Sequence, residues 1–305
     1  MKILFNKKML NYGVNSSPEG SYRLRDFTGF EDTDFNGENF IPLIYDKKYI
    51  QKIKKSCECK NIVAEIKLDN ESCEAAFTAI GLSILASKQN DFAVIRPPGH
   101  HAGKDKAFGF CLFNNIAIAA KSLVNEGKRV CILDIDGHHG NGTQSIFYSS
   151  NKVLYCSIHQ QNSFPHTGSI SKRGRGDGFG YNINIPIAEK SGDDIFLLAL
   201  EKMLPNILKF KPDIIAVSAG FDGYHQDALL NLNYSLNAFY ECGVLLRKNF
   251  NNIFAVLEGG YHNNIKKCIE VLIAGINGNK ILIEEKKTSS DEYCYLTFKN
   301  NVRIL

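Results

Sequence analysis

The stretch that decides the fold is VCILDIDGHHGNGT, residues 130–143. Its first half, VCIL, is typical of a buried strand, because such strands are short and apolar on both faces. The run ends abruptly in acidic and imidazole side chains, among them Asp134, Asp136 and His138. Open α/β sheets build their sites at the carboxyl ends of strands in this way. The stretch therefore predicts a buried strand that delivers polar groups to a site.

Composition narrows the class of protein. The chain has 305 residues, of which 44% are apolar and 22% charged, as in globular proteins with a sizeable core. Its net charge of +4 is too small, and its basic residues too scattered, to predict direct nucleic-acid binding. The chain has nine cysteines, an odd number, and its first residues, MKILFNKKML, contain too short an apolar run for a signal peptide. Together these features predict reduced thiols and a cytoplasmic protein. No segment reaches the roughly 18 consecutive apolar residues of a membrane span. The sequence leaves the oligomeric state open.

Strand and helix signals alternate from residue 72 onward. The strands are predicted at 92–95, 130–135, 153–158, 182–185, 214–218 and 253–257, and an edge strand at 1–5. The helices between them are predicted at 72–88, 114–125, 144–149, 193–208 (capped by Asp193), 235–248 and up to 276, with a further helix at 49–55. Residues 11–39 are predicted to form a long ordered loop, and the last 25 residues carry a weak pattern. This alternation predicts a parallel sheet between helical layers, in one domain spanning residues 1–305, because neither a repeat nor a linker interrupts it.

Four of these strands are followed by residues of catalytic type. The residues are His100 and His101 after 92–95, Asp136 and His138 after 130–135, Asp222 after 214–218, and Tyr261 after 253–257. Because the carboxyl ends of parallel strands lie along one edge, these side chains are expected to share one crevice.

The residue types indicate metal-assisted hydrolysis. Asp136, His138 and Asp222 supply two oxygens and one nitrogen, which leaves a coordination position open, as in catalytic zinc sites. Zn²⁺ is the favoured ion, one per chain, with Fe²⁺ as the alternative. His100 and His101 can act as base and acid near neutral pH, provided that the PPG turn before them breaks the regular backbone. Tyr261 can donate to a tetrahedral oxyanion.

Six motifs in order, RPPGHHAG, GFCLFNN, DIDGHHGNGTQ, FPHTG, SAGFD and LEGGY, resemble the zinc-dependent histone deacetylase superfamily, which includes acetylpolyamine amidohydrolases and acetoin-utilisation proteins. The resemblance covers roughly residues 10–280. It implies a three-layer α/β/α fold of the arginase/deacetylase type around a mainly parallel sheet. It also implies hydrolysis of N-acyl amides, chiefly acetylated lysine-like amines.

The resemblance implies a role for each matching residue. The zinc ligands fall on Asp136, His138 and Asp222, and the transition-state tyrosine on Tyr261. His101 becomes the main acid/base and His100 its charge-stabilising partner, oriented by Asn141 and Asp134 respectively. The substrate-binding residues are Gly109, Phe110 and Phe164 along a narrow tunnel, Leu229 at its rim and Gly260. Structural K⁺ is implied at two further sites, one at Asp134, Asp136, His138, Ser157 and Ile158, the other near Phe147, Ser150, Val153 and Tyr181.

Departures from the family pattern bear on the substrate. Leu229 occupies a rim position where polyamine-specific relatives tend to carry an acid, which favours acyl-lysine or another single amine. An acetylpolyamine substrate is the alternative, and Glu31, Asp32 and Asp34 could attract it. A binuclear ureohydrolase would need acids at Gly140 and Gly220, and a non-catalytic acyl-amine-binding module would not need the histidine pair and the tyrosine.

Overall fold

One parallel sheet organises the fold. The structure is a computed structural model that describes residues 1–13 and 17–303. Among these residues, seven strands form a sheet in which every neighbouring pair is parallel, and two more form an antiparallel hairpin. In chain order the strands are β1 (Ile3–Leu4), β2 (Ile62–Val63), β3 (Ile66–Lys67), β4 (Phe92–Ala93), β5 (Val130–Asp134), β6 (Val153–Gln160), β7 (Asn182–Ile187), β8 (Ile214–Ala219) and β9 (Ile253–Leu257).

Helices flank this sheet in two layers. The α-helices are α1 (Lys47–Glu58), α2 (Asn70–Gln89), α3 (Asn115–Asn125), α4 (Asn141–Phe147), α5 (Asp193–Phe210), α6 (Leu236–Asn249), α7 (Ile265–Asn277) and α8 (Glu292–Val302). Helix α2 contacts α1 and α3, and α6 contacts α5 and α7. The result is the predicted three-layer α/β/α arrangement.

The order of the strands in the sheet explains how the site is assembled. The order is β1-β4-β9-β8-β5-β6-β7. Strands β4, β9, β8 and β5, after which the sequence places its polar site residues, are therefore consecutive neighbours. Because they run parallel, their carboxyl ends lie side by side at one edge. Segments that are far apart in the chain thus meet at one crevice.

Local sequence accounts for the main elements. All five residues of β5 are buried, as the apolar run predicts for a central parallel strand. Helix α2 begins with a reciprocal capping box between Asp69 and Ser72. Helix α6 begins after Ser235, whose side chain accepts a hydrogen bond from the backbone N–H of Asn237, as predicted.

Some predicted boundaries were wrong. Helix α4 begins at Asn141, three residues before its predicted start. The prediction missed the first turn because the stretch GNGT is polar and shows no apolar periodicity. Strand β4 has two residues rather than four. Asp193 does not cap α5, which begins after Gly192. Instead, its carboxylate accepts hydrogen bonds from the backbone N–H (2.7 Å) and hydroxyl (2.6 Å) of Ser235, tying α5 to the start of α6.

The two ends of the chain contain short elements that the sequence only partly indicated. Within the predicted loop 11–39, residues 14–16 lie outside the described residues, and Ser21–Phe27 forms a 3₁₀ helix. The weakly patterned last 25 residues include α8, which packs against α5 and β7. In the described part of the chain, no helix has both the length and the apolar character needed to cross a membrane.

Candidate active site

Three buried side chains converge where β5 and β8 end. Asp136 and His138 follow β5, and Asp222 follows β8. One ligand atom from each residue lies within 4.8 Å of those from the other two. Nδ1 of His138 lies 2.5 Å from Oδ2 of Asp222 and 3.4 Å from Oδ1 of Asp136. Two carboxylates and an imidazole at this separation form a donor set suited to a divalent transition metal.

The backbone around the two carboxylates leaves no space for further side chains. The N–H of Gly259 donates to Oδ2 of Asp136 at 2.7 Å, and the N–H of Gly137 donates to Oδ1 of Asp222 at 2.5 Å. A Cβ at Gly220 would lie 1.9 Å from Oδ2 of Asp136, and one at Gly259 would lie 2.7 Å from an oxygen of each carboxylate. An additional acid at position 220 therefore has no room, so the donor set fits one metal rather than a pair.

The electrostatics of this cluster also fit a cation. Burial, reinforced by the negative charge of Asp136, raises the pKa of Asp222 to about 8. Burial alone would lower the pKa of His138, but the carboxylates of Asp222 and Asp136 outweigh it and raise the pKa to about 10. The pKa of Asp222 rises because two carboxylates are buried side by side away from water, and the pKa of His138 rises because its ring faces both of them. A divalent cation between these groups would relieve that repulsion.

The tandem histidines both face the cluster because the backbone after β4 is irregular. Their ring centroids lie 4.0 Å apart. Nδ1 of His100 donates to Oδ2 of Asp134 at 3.2 Å, and its Nε2 lies 3.8 Å from Oδ2 of Asp136. Nδ1 of His101 donates to Oδ1 of Asn141 at 2.8 Å. Since an amide oxygen can only accept, this bond leaves the lone pair of His101 on Nε2.

The two histidines differ in charge. Burial alone would lower the pKa of His100, but the carboxylates of Asp136 and Asp134 outweigh it and raise the pKa well above its usual value. Burial, with the positive charges of His100 and His138 beside it, lowers the pKa of His101 well below its usual value. The directions of these shifts favour an imidazolium at His100 and a neutral imidazole at His101, which is the combination that charge stabilisation and general-base chemistry require.

Tyr261 follows β9, the strand between β4 and β8 in the sheet. Its side chain is buried, and burial raises the pKa of the phenol well above its usual value, so it stays a neutral donor. Its ring lies 5.8 Å from that of Phe110, and the guanidinium of Arg23 lies 4.9 Å from its centroid. Arg23 also donates to the carbonyl oxygens of Gly260 (2.7 Å) and Glu258 (2.6 Å). This buried arginine, in a segment without clear periodicity, was not identified from the sequence.

A cavity of about 260 Å³ leads to these groups. Its lining consists of Glu65, His101, Gly109, Phe110, His138, Phe164, Leu229 and Tyr261. The predicted tunnel and rim residues therefore meet in one cavity, with Leu229 and Phe164 partly exposed at 42% and 37%. Gly260 is not among the described residues that line it. Gly260 has a φ of +115°, which glycine adopts readily, and directly precedes Tyr261.

The cavity also carries an acid that the sequence analysis missed. Glu65 is exposed and forms, with Ala64, the two-residue turn between β2 and β3. Both residues have positive φ, +50° and +64°, and the N–H of Phe110 donates to the carbonyl of Ala64 at 3.0 Å. Hairpin turns of this kind usually contain Asn or Gly. No turn signal in the sequence therefore indicates that Glu65 lies beside the tunnel.

Comparison with known proteins identifies the family. A family model described as the histone deacetylase domain matches residues 24–276. The chain belongs to the histone deacetylase family. The resemblance noted in the sequence is thereby confirmed.

Family relatives include plant and bacterial deacetylases. Histone deacetylase 10, chloroplastic, of Oryza sativa is 39% identical over 214 residues, which cover 68% of this chain and 46% of that protein. Acetylpolyamine amidohydrolase of Burkholderia pseudomallei is 41% identical over 174 residues, covering 56% of this chain and 51% of the relative. The chain thus spans about half the length of these curated relatives.

The solved structure of the HDA15 HD domain confirms the family fold. It superposes with a TM-score of 0.85 at 29% identity, covering 92% of this chain and 91% of the other. The parallel sheet flanked by helices is therefore the α/β/α fold of the histone deacetylase family.

Glu258, in the family motif LEGGY, has a structural position that the sequence did not reveal. It is fully buried, and its Oε2 accepts the N–H groups of Gly99 (2.7 Å) and His100 (3.0 Å). Its Oε1 accepts from the hydroxyl of Ser218 at 3.3 Å. The side chain thus ties the histidine loop to β8 and β9. The signal available in the sequence was an acidic residue directly after an apolar strand.

The acidic loop and the K⁺ sites bear less directly on catalysis. Asp32 lies 3.8 Å from Nζ of Lys7 and Asp34 lies 3.2 Å from Nζ of Lys8, so their charges are largely balanced.

For the first K⁺ site, Asp134 and Ser157 are partners in the register of β5 and β6. For the second, the carbonyl oxygens of Phe147 and Tyr181 accept backbone hydrogen bonds of 2.9 and 3.1 Å, from Ser150 and Tyr155. K⁺ binding stays a prediction.

Proposed function

We propose that this protein is a zinc-dependent amidohydrolase that removes acetyl or other short acyl groups from lysine-type amines. The observation that carries the proposal is the buried cluster of Asp136, His138 and Asp222 at the inner end of a narrow cavity. The walls of that cavity are aromatic and its inner end is polar, which suits an alkyl chain that ends in an acyl amide.

The proposed chemistry divides between the ion and the chain. Zn²⁺, or Fe²⁺ in its place, would supply Lewis-acid chemistry that acidifies water and polarises an amide carbonyl. His101 takes a proton on Nε2 as general base and returns it to the departing amine. His100, held by Asp134, contributes positive charge, and the phenol of Tyr261 donates a hydrogen bond to the developing oxyanion.

The substrate preference rests on the mouth of the cavity. Leu229 makes part of the rim apolar, and Asp32 and Asp34 already have lysine partners. An apolar rim disfavours a polycation because its extra ammonium groups would lose water without gaining a partner. These features favour an acyl-lysine side chain, which carries one amide and no second amine.

Glu65 favours a second candidate, an acetylpolyamine or another small acetylated amine. Glu65 is exposed and lines the same cavity, and among residues 1–13 and 17–303 its carboxylate has no hydrogen-bond or ion-pair partner. A carboxylate there could pair with a distal ammonium group. The bacterial acetylpolyamine amidohydrolase among the relatives makes this candidate worth testing directly.

The decisive experiment compares acetate release from an acetyl-lysine peptide, N-acetylputrescine and N-acetylspermidine. We expect kcat/KM for the peptide to exceed that for either polyamine by about 10-fold or more, the scale that one rim contact can supply. A preference for the polyamines would reverse the ranking, and no acetate from any of the three would refute the proposal. Asp291→Asn is a matched control, since Asp291 only caps α8.

We further propose that residues 1–305 act as one domain, because α8 packs on α5 and β7, elements within the part of the chain matched by the family model. The nine cysteines are not joined by disulfides, and a reducing compartment stays a prediction. A cytoplasmic location stays a prediction, as does oligomerisation.

A further inference from the structure

One carboxylate outside the proposed catalytic set connects two walls of the cavity. Asp227 lies in the loop after β8, and its Oδ2 accepts the backbone N–H of Tyr261 at 2.6 Å. Its Oδ1 accepts the N–H groups of Leu229 at 2.7 Å and Leu230 at 3.3 Å. The two oxygens of one side chain therefore hold the main chain of the phenol donor and the main chain of the rim.

The turn that carries Tyr261 depends on such support. Gly260, directly before it, has a φ of +115°, and its carbonyl accepts from Arg23 on the far side. The turn is thus held by Arg23 through a carbonyl and by Asp227 through an N–H. Removing the second support frees the peptide from which the Tyr261 side chain projects.

The rim depends on the same side chain. Leu229 lines the cavity, and Leu230 is buried against the backbone of Gly137, between the two ligand positions Asp136 and His138. Asp227 positions the main chain of both leucines, because each donates its backbone N–H to Oδ1 of Asp227. The rim and the tyrosine turn are therefore hydrogen-bonded to one carboxylate.

We propose that Asp227 is a positioning residue that couples substrate fit at the Leu229 rim to oxyanion donation by Tyr261. This inference rests on the proposed deacetylase function and adds to it a source of selectivity. Asn at this position has only one acceptor oxygen, so it must release either the tyrosine turn or the rim.

The test compares an acetyl-lysine with a trifluoroacetyl-lysine peptide. The trifluoromethyl group withdraws electrons, so the carbonyl depends less on an oxyanion donor. Asp227→Asn should lower kcat for the acetyl peptide by about 10-fold or more, the scale of a misplaced catalytic group, and by less than about 3-fold for the trifluoroacetyl peptide. Adding Asp227→Asn to Tyr261→Phe should cost less than about 3-fold more, because both changes act through one hydroxyl.

Equal losses on both peptides, or losses that multiply in the double variant, would overturn the inference. Asp291→Asn, the same chemical change at the residue that caps α8, is the matched control: it should leave both activities, and therefore their ratio, as in the wild type. Metal content is measured in every variant. If Asp227→Asn yields no folded protein, Asp227→Glu, which keeps the charge but shifts the oxygens, takes the same test with the same criteria.

Failure of this inference differs from failure of the proposed function. A wild-type protein that cleaves neither peptide refutes the function. A wild-type protein that cleaves both, with Tyr261→Phe selective for the trifluoroacetyl peptide and Asp227→Asn unselective, refutes only the role of Asp227.

Discussion

Adding one methyl group at Gly109 should disable the site by moving its proposed base. A Cβ built on Gly109 would lie 2.6 Å from Cδ2 of His101 and 3.0 Å from Cε1 of Phe164. Carbon atoms normally approach to about 3.5 Å, so Gly109→Ala requires a displacement of roughly 1 Å. A misplacement of about 1 Å can cost about 100-fold in rate. We therefore expect kcat on an acetyl-lysine peptide to fall by about that factor.

The backbone contributes a separate cost. Gly109 has a φ of +53°, where an alanine costs about 1–2 kcal/mol. Gly127→Ala is the matched control for this strain, because Gly127 has a φ of +85° but nothing lies within 4 Å of an added Cβ. In thermal unfolding, Gly127→Ala should lose only the stability that this backbone strain costs, and Gly109→Ala should lose at least as much, because its steric clash adds to the strain.

The kinetic assay separates the two variants. Gly109→Ala should lose turnover at saturating substrate, and Gly127→Ala should keep it. Full turnover in Gly109→Ala, or an equal loss in Gly127→Ala, would refute the placement of His101 against the tunnel wall.

Three further variants test the chemistry and the mouth of the site. Tyr261→Phe should lower turnover of acetyl-lysine by about 100-fold or more, as loss of an oxyanion donor does, with metal content unchanged; full activity would exclude the assigned role. Leu229→Glu should raise kcat/KM for N-acetylspermidine by up to about 5-fold, the value of an exposed ion pair, and no gain would show that the rim does not select charge. Glu65→Gln should lower kcat/KM for the same polyamine by a similar factor, measured against an uncharged acetyl-lysine peptide as reference; equal effects on both would argue against an ion pair at this position.

The sequence predicted the sheet and the contributors to the site because both leave periodic or chemical signals. The apolar run before Asp134 identified a buried strand, and the polar residues after four strands pointed to one edge. What it could not give was the order of the strands in space. The neighbouring positions of β4, β9, β8 and β5 depend on crossover packing between segments up to about 160 residues apart, which no local pattern records.

The residues that the sequence analysis missed act through main-chain contacts or lie in irregular backbone. Glu258 and Asp227 accept hydrogen bonds mainly from peptide N–H groups, which every residue type except proline offers, so nothing in their spacing suggests a partner. Arg23 reaches the tyrosine turn from a segment without periodicity. Glu65 depends on a hairpin turn made without glycine or asparagine. Asp193 shows the opposite case, where a capping signal was present but the side chain bonds to another helix start.

The central claim is that one metal ion, held by Asp136, His138 and Asp222, drives the hydrolysis of an acyl amide. The most direct measurement titrates Zn²⁺ into chelator-treated protein and records bound metal and acetate released from an acetyl-lysine peptide in the same samples. The account predicts that activity rises with bound zinc and saturates at one ion per chain, and that Asp222→Ala neither retains the ion nor gains activity. Full activity without bound metal, or saturation at two ions per chain, would contradict it.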